Sequence, residues 1–253
     1  MSYESKIKSL SKPSFSDIRK VAVGEILHLP KSQKDKLWLE LERGTALLKT
    51  HEHMCQYLFS FGNMHQAKLL DAFKQLPIQS FQNEFEIIDW GCGQALGTLN
   101  LIDYLQSMDL HTNIRKITLI EPAQVALDRA KVHVDAIKDD SVELITRADY
   151  FEDIEPEEIA STSGRIIIHL FSNILDVVQI DLKHLAKLID ASVKSDNYLV
   201  CVGPLNPTNQ RIDAFYRYFD QELVDNIYQF EDSNFHEKGW TYKALIYKLE
   251  KNS

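Results

Sequence analysis

No apolar run in this chain approaches the roughly 18 residues needed to span a bilayer, so no membrane association is expected. The opening residues, MSYESKIKSLSKPSF, carry lysines with no apolar stretch behind them, which argues against a secretory leader. Cysteine is scarce. Cys55, Cys92 and Cys201 are odd in number and widely spaced, and they form neither a CxxC pair nor a disulfide framework. A reducing, cytoplasmic setting is the expectation. Internal repeats and low-complexity tracts are also absent. There is no basic excess either: 28 Lys+Arg stand against 37 Asp+Glu, a net charge of −9. Binding to phosphate backbones needs clustered positive charge, so nucleic acid is left open as a partner but not favoured.

The chain that remains has 253 residues, 44% hydrophobic and 26% charged. That is long enough to bury a core in one large domain, with or without a helical extension. Disordered, collagen-like and coiled-coil chains have other compositions. The charge is uneven. Residues 1–80 hold 12 basic and 8 acidic residues, and residues 81–253 hold 16 and 29, so +4 is followed by −13. The break suggests a helical N-terminal extension over 1–80 and a main domain over 81–253.

Residues 1–80 read as helical. Leu37 to Leu48 is one stretch, broken at Gly44, and His53 to Leu76 is another, with a break expected at Gly62-Asn63. From residue 84 short apolar runs alternate with amphipathic stretches. Strands are expected at 85–88, 117–120, 142–145, 165–170, 198–202 and 242–249, and helices at 98–108, 122–137, 178–193 and 212–224. Such alternation implies βαβ units and a doubly wound, mostly parallel sheet of the α/β class. His51, His53, Cys55 and His65 lie close in sequence, but the i, i+2, i+4 spacing of the first three does not share one helix face, so no metal site is expected.

The most informative segment is Ile87-Ile88-Asp89-Trp90-Gly91-Cys92-Gly93-Gln94-Ala95-Leu96-Gly97-Thr98. Glycines after a strand let the backbone turn sharply and approach a ligand. A dinucleotide fingerprint needs G-x-G-x-x-G, and position 96 is leucine, so the match fails. Asp89 at the strand end would repel a pyrophosphate but could accept a bond from an ammonium group.

Asp89-Trp90-Gly91-Cys92-Gly93 resembles the first motif of class I S-adenosylmethionine (SAM)-dependent methyltransferases, D/E-x-G-x-G-x-G. Ala95 stands at the third small position, a mild departure if its φ is negative. Thr118-Leu119-Ile120-Glu121-Pro122 is similar to the family's second element, whose acid can take both ribose hydroxyls. The resemblance implies a seven-stranded sheet, SAM as cofactor and methyl transfer as the reaction. It implies cofactor contacts from Asp89, Gly91, Cys92 and Gly93, from Glu121 and Pro122, from Asp149 and Tyr150 after the third strand, and from His169 on the fourth. If a base is needed, His169 is the best-placed candidate, and Asn173 could orient an acceptor. A segment preceding the first strand often lids the pocket in this family, which nominates Tyr57 and His65 as acceptor contacts. The D/N/S-P-P-Y/F/W signature of exocyclic-amine methyltransferases is absent after the fourth strand, so a small molecule or a protein side chain is the expected acceptor. The competing expectation is a non-catalytic SAM-binding or assembly subunit of the same fold.

Overall fold

The strand Phe85–Trp90, FEIIDW, carries large side chains on both faces of its pleat, and every one of its residues is buried. In the computed structural model, which describes residues 1–44, 46–161, 164–206, 210–236 and 238–250, it is β1, an inner strand of a seven-stranded sheet. The other strands are β2 (Ile114–Ile120), β3 (Glu143–Arg147), β4 (Ile166–Ser172), β5 (Asn197–Gly203), β6 (Val224–Phe235) and β7 (Trp240–Leu249). Their order is β3-β2-β1-β4-β5-β7-β6. The first five are parallel, and β7 enters antiparallel between β5 and β6.

Helices cover both faces, and this is why the central strands lack polar alternation. The helices are α1 (Tyr3–Lys8), α2 (Phe15–Ile26), α3 (Lys31–Glu40), α4 (His51–Phe73), α5 (Leu96–Gln106), α6 (Gln124–Ile137), α7 (Pro156–Ile159), α8 (Leu182–Ser192) and α9 (Arg211–Tyr216). Along β1, Phe85 and Ile87 join one core with Phe15, Ile18, Leu58, Phe73 and Leu99. Ile88 and Trp90 join the other with Phe171, Leu185, Ile189 and Phe215. The buried side chains of α1, α2 and much of α4 thus belong to the same core as the sheet.

Two local expectations are corrected. Helix α4 runs unbroken through Gly62. A Cβ there would lie 2.9 Å from Cδ and Nε of Arg19, whose guanidinium donates to the carbonyls of Leu58 at 2.9 Å and Phe59 at 3.2 Å. The glycine admits α2 to the surface of α4 and does not end the helix. The helix expected over 212–224 stops at Tyr216, and β6 follows. That strand, VDNIYQFEDSNF, lies at the sheet edge with half its residues exposed, so its polar side chains hide it in an apolar search.

Candidate active site

At the C-terminal ends of β1, β2 and β4 a cavity of about 400 Å³ opens. Open parallel sheets hold their ligands at these ends. Its floor is the loop joining β1 to α5. Gly91, Gly93 and Ala95 have φ of 61°, 54° and 64°, so left-handed residues alternate along the turn. A Cβ on Gly91 would sit 2.5 Å from Cγ1 of Ile174. On Gly93 it would meet no atom within 4 Å and would project into the cavity that the residue lines. The condition under which alanine would be a mild departure at position 95, a negative φ, is not met. Its methyl is buried in the core and the residue stands left-handed at the N-terminus of α5.

Glu121 closes the far side of the floor. One carboxylate oxygen accepts from the Gly93 N–H at 3.0 Å and the other from the Ala123 N–H at 3.0 Å. A carboxylate has about four acceptor positions, so each oxygen keeps capacity toward the cavity that Glu121 and Pro122 line. Burial raises the Glu121 pKa, and the two N–H bonds oppose that shift. Cys92 also lines the cavity. Its thiol pKa is driven far up by burial, with Asp89 and Glu121 adding to the effect.

Asp89 is placed differently from the expectation. It does not line the cavity. Its Oδ2 accepts from the backbone N–H of Thr98 at 3.0 Å and from the Thr98 hydroxyl at 2.8 Å. The carboxylate thereby caps the first turn of α5 beneath the glycine loop, and Gly97 lies against it. Its Oδ1 is buried with no partner among the described residues. Burial pushes its pKa up to about 7, against the two Thr98 bonds.

The third acid does not reach the site. Asp149 accepts from Arg147 at 3.2 Å and stands outside the cavity wall. Its neighbour Tyr150 is on the wall, and so are Phe151 and Glu152, neither of which is an expected site residue, the run from Glu152 reading as a solvated turn. His169 is corrected outright. It is sealed inside β4, where Nδ1 accepts from the indole N–H of Trp90 at 3.0 Å and Nε2 donates to Oδ1 of Asn197 at 2.9 Å. Burial lowers its pKa to about 4. With both nitrogens engaged and no exposed surface, it serves as neither base nor cofactor contact.

The opposite wall is built by α4 and the segment before it. Tyr57, His65, Leu48 and Asn173 all line the cavity. The Asn173 amide is 3.3 Å from Nδ1 of His65. An amide nitrogen only donates, so Nδ1 accepts and Nε2 carries the ring proton. Burial, with Lys68 nearby, lowers the His65 pKa to about 3, and the ring is neutral. Tyr57 meets it edge-on at 5.5 Å. Gly44, Ala46, Leu47 and Leu48, which line part of this wall, read in the sequence only as the end of a helical stretch broken at the glycine. His51 and His53 pair elsewhere, with Arg129 at 2.7 Å and Glu40 at 2.8 Å.

No protein-family model matches the chain, and no curated protein matches it. Solved structures do. A SAM-dependent methyltransferase from Leishmania major superposes over 97% of this chain and 91% of its own with a TM-score of 0.52 at 13% identity. The fold is that of the class I SAM-dependent methyltransferases. A SAM-dependent methyltransferase of Clostridium acetobutylicum aligns over 87% of this chain and 99% of its own, at 8% identity and a TM-score of 0.48. The 1,6-didemethyltoxoflavin N1-methyltransferase of Burkholderia thailandensis aligns over 87% and 88%, at 9% identity and a TM-score of 0.48. The methyltransferase fold accounts for the antiparallel β7 and for the cavity's place above β1, β2 and β4. No helix among the described residues is long and apolar enough to cross a membrane.

Proposed function

We propose that this chain is a SAM-dependent methyltransferase acting on a small, largely uncharged molecule. The observation that carries the reading is Glu121. It is a carboxylate at the end of β2, anchored by two backbone N–H groups, with acceptor capacity left toward a cavity floored by a glycine turn. The residues present fit the cofactor. Gly93 leaves open the space a Cβ would fill, Glu121 suits a pair of vicinal hydroxyls, and no pyrophosphate-binding glycine stands at 96. Gly91, Cys92, Gly93, Glu121 and Pro122 would hold it.

When bound, the cofactor supplies a methyl group on a positively charged sulfur, and alignment with the acceptor provides most of the rate. This chain's own residues would supply that alignment. Tyr57 and the Nε2–H of His65 offer hydrogen bonds at the acceptor end, and Asn173 holds the His65 ring in place. Leu48, Ile174 and Val177 keep that end dry. The acceptor's nucleophilic atom arrives unprotonated, so no proton transfer is asked of His65, which stays neutral as a donor, or of the sealed His169. An apolar wall of this kind suits a flat small molecule better than a lysine or arginine side chain.

The test is turnover. Purified protein with SAM and pooled small-molecule extract should release S-adenosylhomocysteine. Release should fall at least tenfold in His65→Phe with SAM affinity retained. Release that needs only a macromolecular fraction would replace the acceptor class. Binding of SAM with no release from any fraction would favour a binding subunit.

A further inference from the structure

The glycine loop is held from several directions. The Cys92 N–H donates to the Ile120 carbonyl at 2.9 Å and the Gly93 N–H to Glu121 at 3.0 Å. The Gln94 side-chain amide donates to the Met54 carbonyl at 3.1 Å. A further tether comes from outside the cavity. The Gln94 backbone carbonyl lies 3.1 Å from Nδ1 of His133 on α6, and Nε2 of the same ring lies 2.9 Å from the Tyr3 hydroxyl on α1. A carbonyl only accepts, so Nδ1 must carry the proton. Nε2 of the neutral ring must then accept, and Tyr3 donates. The direction of the relay is fixed: Tyr3 O–H to His133, and His133 N–H to Gln94.

Other contacts fix both members. His133 has no exposed surface, and burial drives its pKa down to about 3. The Arg129 guanidinium lies 3.7 Å over the Tyr3 ring and is bonded to His51 at 2.7 Å. The residue they tether sits between Gly93 and Ala95, both left-handed. Alanine keeps such a backbone only where its surroundings hold it.

We propose that Tyr3 and His133 are positioning residues of the cofactor loop: the first helix of the chain, remote from the cavity, holds Gln94 so that Gly93 and Glu121 face the cofactor. The consequence for binding rests on the SAM reading, while the relay itself does not. Without the Tyr3 hydroxyl, the His133 proton is free to move to Nε2, and the Gln94 carbonyl then faces a bare lone pair.

The experiment is calorimetric titration of the full-length protein with SAM, alongside thermal unfolding of the unliganded form. Loss of one buried hydrogen bond at the loop should weaken SAM about three- to tenfold in Tyr3→Phe. His133→Phe, which keeps a ring but no donor, should weaken it more. His133→Asn returns an amide N–H near the Nδ1 position and should recover affinity to within about threefold of the parent. If turnover is measurable, KM for SAM should rise in Tyr3→Phe while kcat stays unchanged. A lower melting temperature with SAM affinity within twofold of the parent in both phenylalanine variants would make the relay merely structural and overturn the proposal. If His133→Phe fails to fold, Tyr3→Phe, which removes one oxygen, decides alone. If the parent protein takes up no SAM, the functional reading fails. The relay is then judged by amide hydrogen exchange: faster exchange at residues 92–97 in Tyr3→Phe upholds it, and unchanged exchange rejects it.

Discussion

Replacing Asp89 by asparagine should stabilise the unliganded protein in a manner that grows with pH. Asp89 has only 1% of its surface exposed. Its Oδ2 is satisfied by Thr98, and its Oδ1 has no partner among the described residues. Burial moves its pKa from 3.8 to about 7. The sign follows from linkage. An acid whose folded pKa lies above its unfolded pKa favours folding while protonated, and that contribution is lost as pH rises from about 4 to about 7. Each pH unit across that window costs about 1.4 kcal/mol, so the full cost is on the order of 4 kcal/mol above pH 7.5. Asparagine keeps the acceptor for Thr98 and removes the charge. It also brings a buried NH₂, whose cost does not depend on pH, so the slope is the informative quantity. Between pH 6 and pH 8.5 the stability difference between Asp89→Asn and the parent should widen by roughly 1–2 kcal/mol in favour of the variant. Urea unfolding at a series of pH values measures it. A difference that stays flat, or that moves toward the parent as pH rises, would refute the placement of an ionisable carboxylate in a dry site.

Three further outcomes follow from the same geometry. Gly91→Ala places a methyl 2.5 Å from Ile174 at a φ of 61°. It should cost about 2–4 kcal/mol, partly recovered in the double variant with Ile174→Ala, and an additive double-mutant cycle would contradict the contact. Ala95→Val puts a β-branched residue at a φ of 64° and should lose about 3 kcal/mol or more in chemical unfolding, whereas Ala95→Gly, trading a buried methyl for relief of strain, should stay within about 1 kcal/mol of the parent. His65, His133 and His169 are held neutral by burial, with pKa values near 3, 3 and 4 against an ordinary 6.5. Their stabilising contribution is present above the ordinary value and is lost as pH falls below it, at about 1.4 kcal/mol per unit each. Protonation of Asp89 and Asp103, whose pKa values burial raises, returns part of this over the same range, so urea unfolding should show a net fall in stability from pH 6.5 to pH 4 that is smaller than three histidines alone would give; stability that rises steadily as pH falls would contradict this.

The parts of the site that could be read in the sequence are those whose chemistry is local. Asp89, Gly91, Gly93 and Glu121 stand at strand ends, where one residue type is needed for a backbone reason or for charge. The role of Asp89 was legible only in part, since its partner Thr98 lies in the next helix and turns the carboxylate beneath the loop. His169 was misread because the groups that close on it, Trp90 and Asn197, come from neighbouring strands 79 and 28 residues away. Asp149 occupies the expected position after β3, but Arg147 two residues earlier takes its carboxylate. The wall residues Gly44, Ala46, Leu47 and Leu48 and the pair Phe151 and Glu152 became visible as site residues only once the chain had brought them over the sheet. Strand β6 went unread because a half-exposed edge strand carries the polar pattern of a loop. The charge break at residue 80 does not mark a separate core, since the buried side chains before it pack into the same cluster as β1 and α5.

The central claim is that Glu121 and the glycine loop form a SAM site, and the direct measurement is calorimetry with SAM and NAD on the parent and on Glu121→Ala. Removing the carboxylate leaves the N–H groups of Gly93 and Ala123 unpaired as well as taking away the hydroxyl acceptor. The expected result is one-to-one micromolar binding of SAM, weakened by about 1–3 kcal/mol in folded Glu121→Ala, with no heat from NAD. Binding of NAD without SAM, or SAM affinity unmoved by the loss of Glu121, would contradict it.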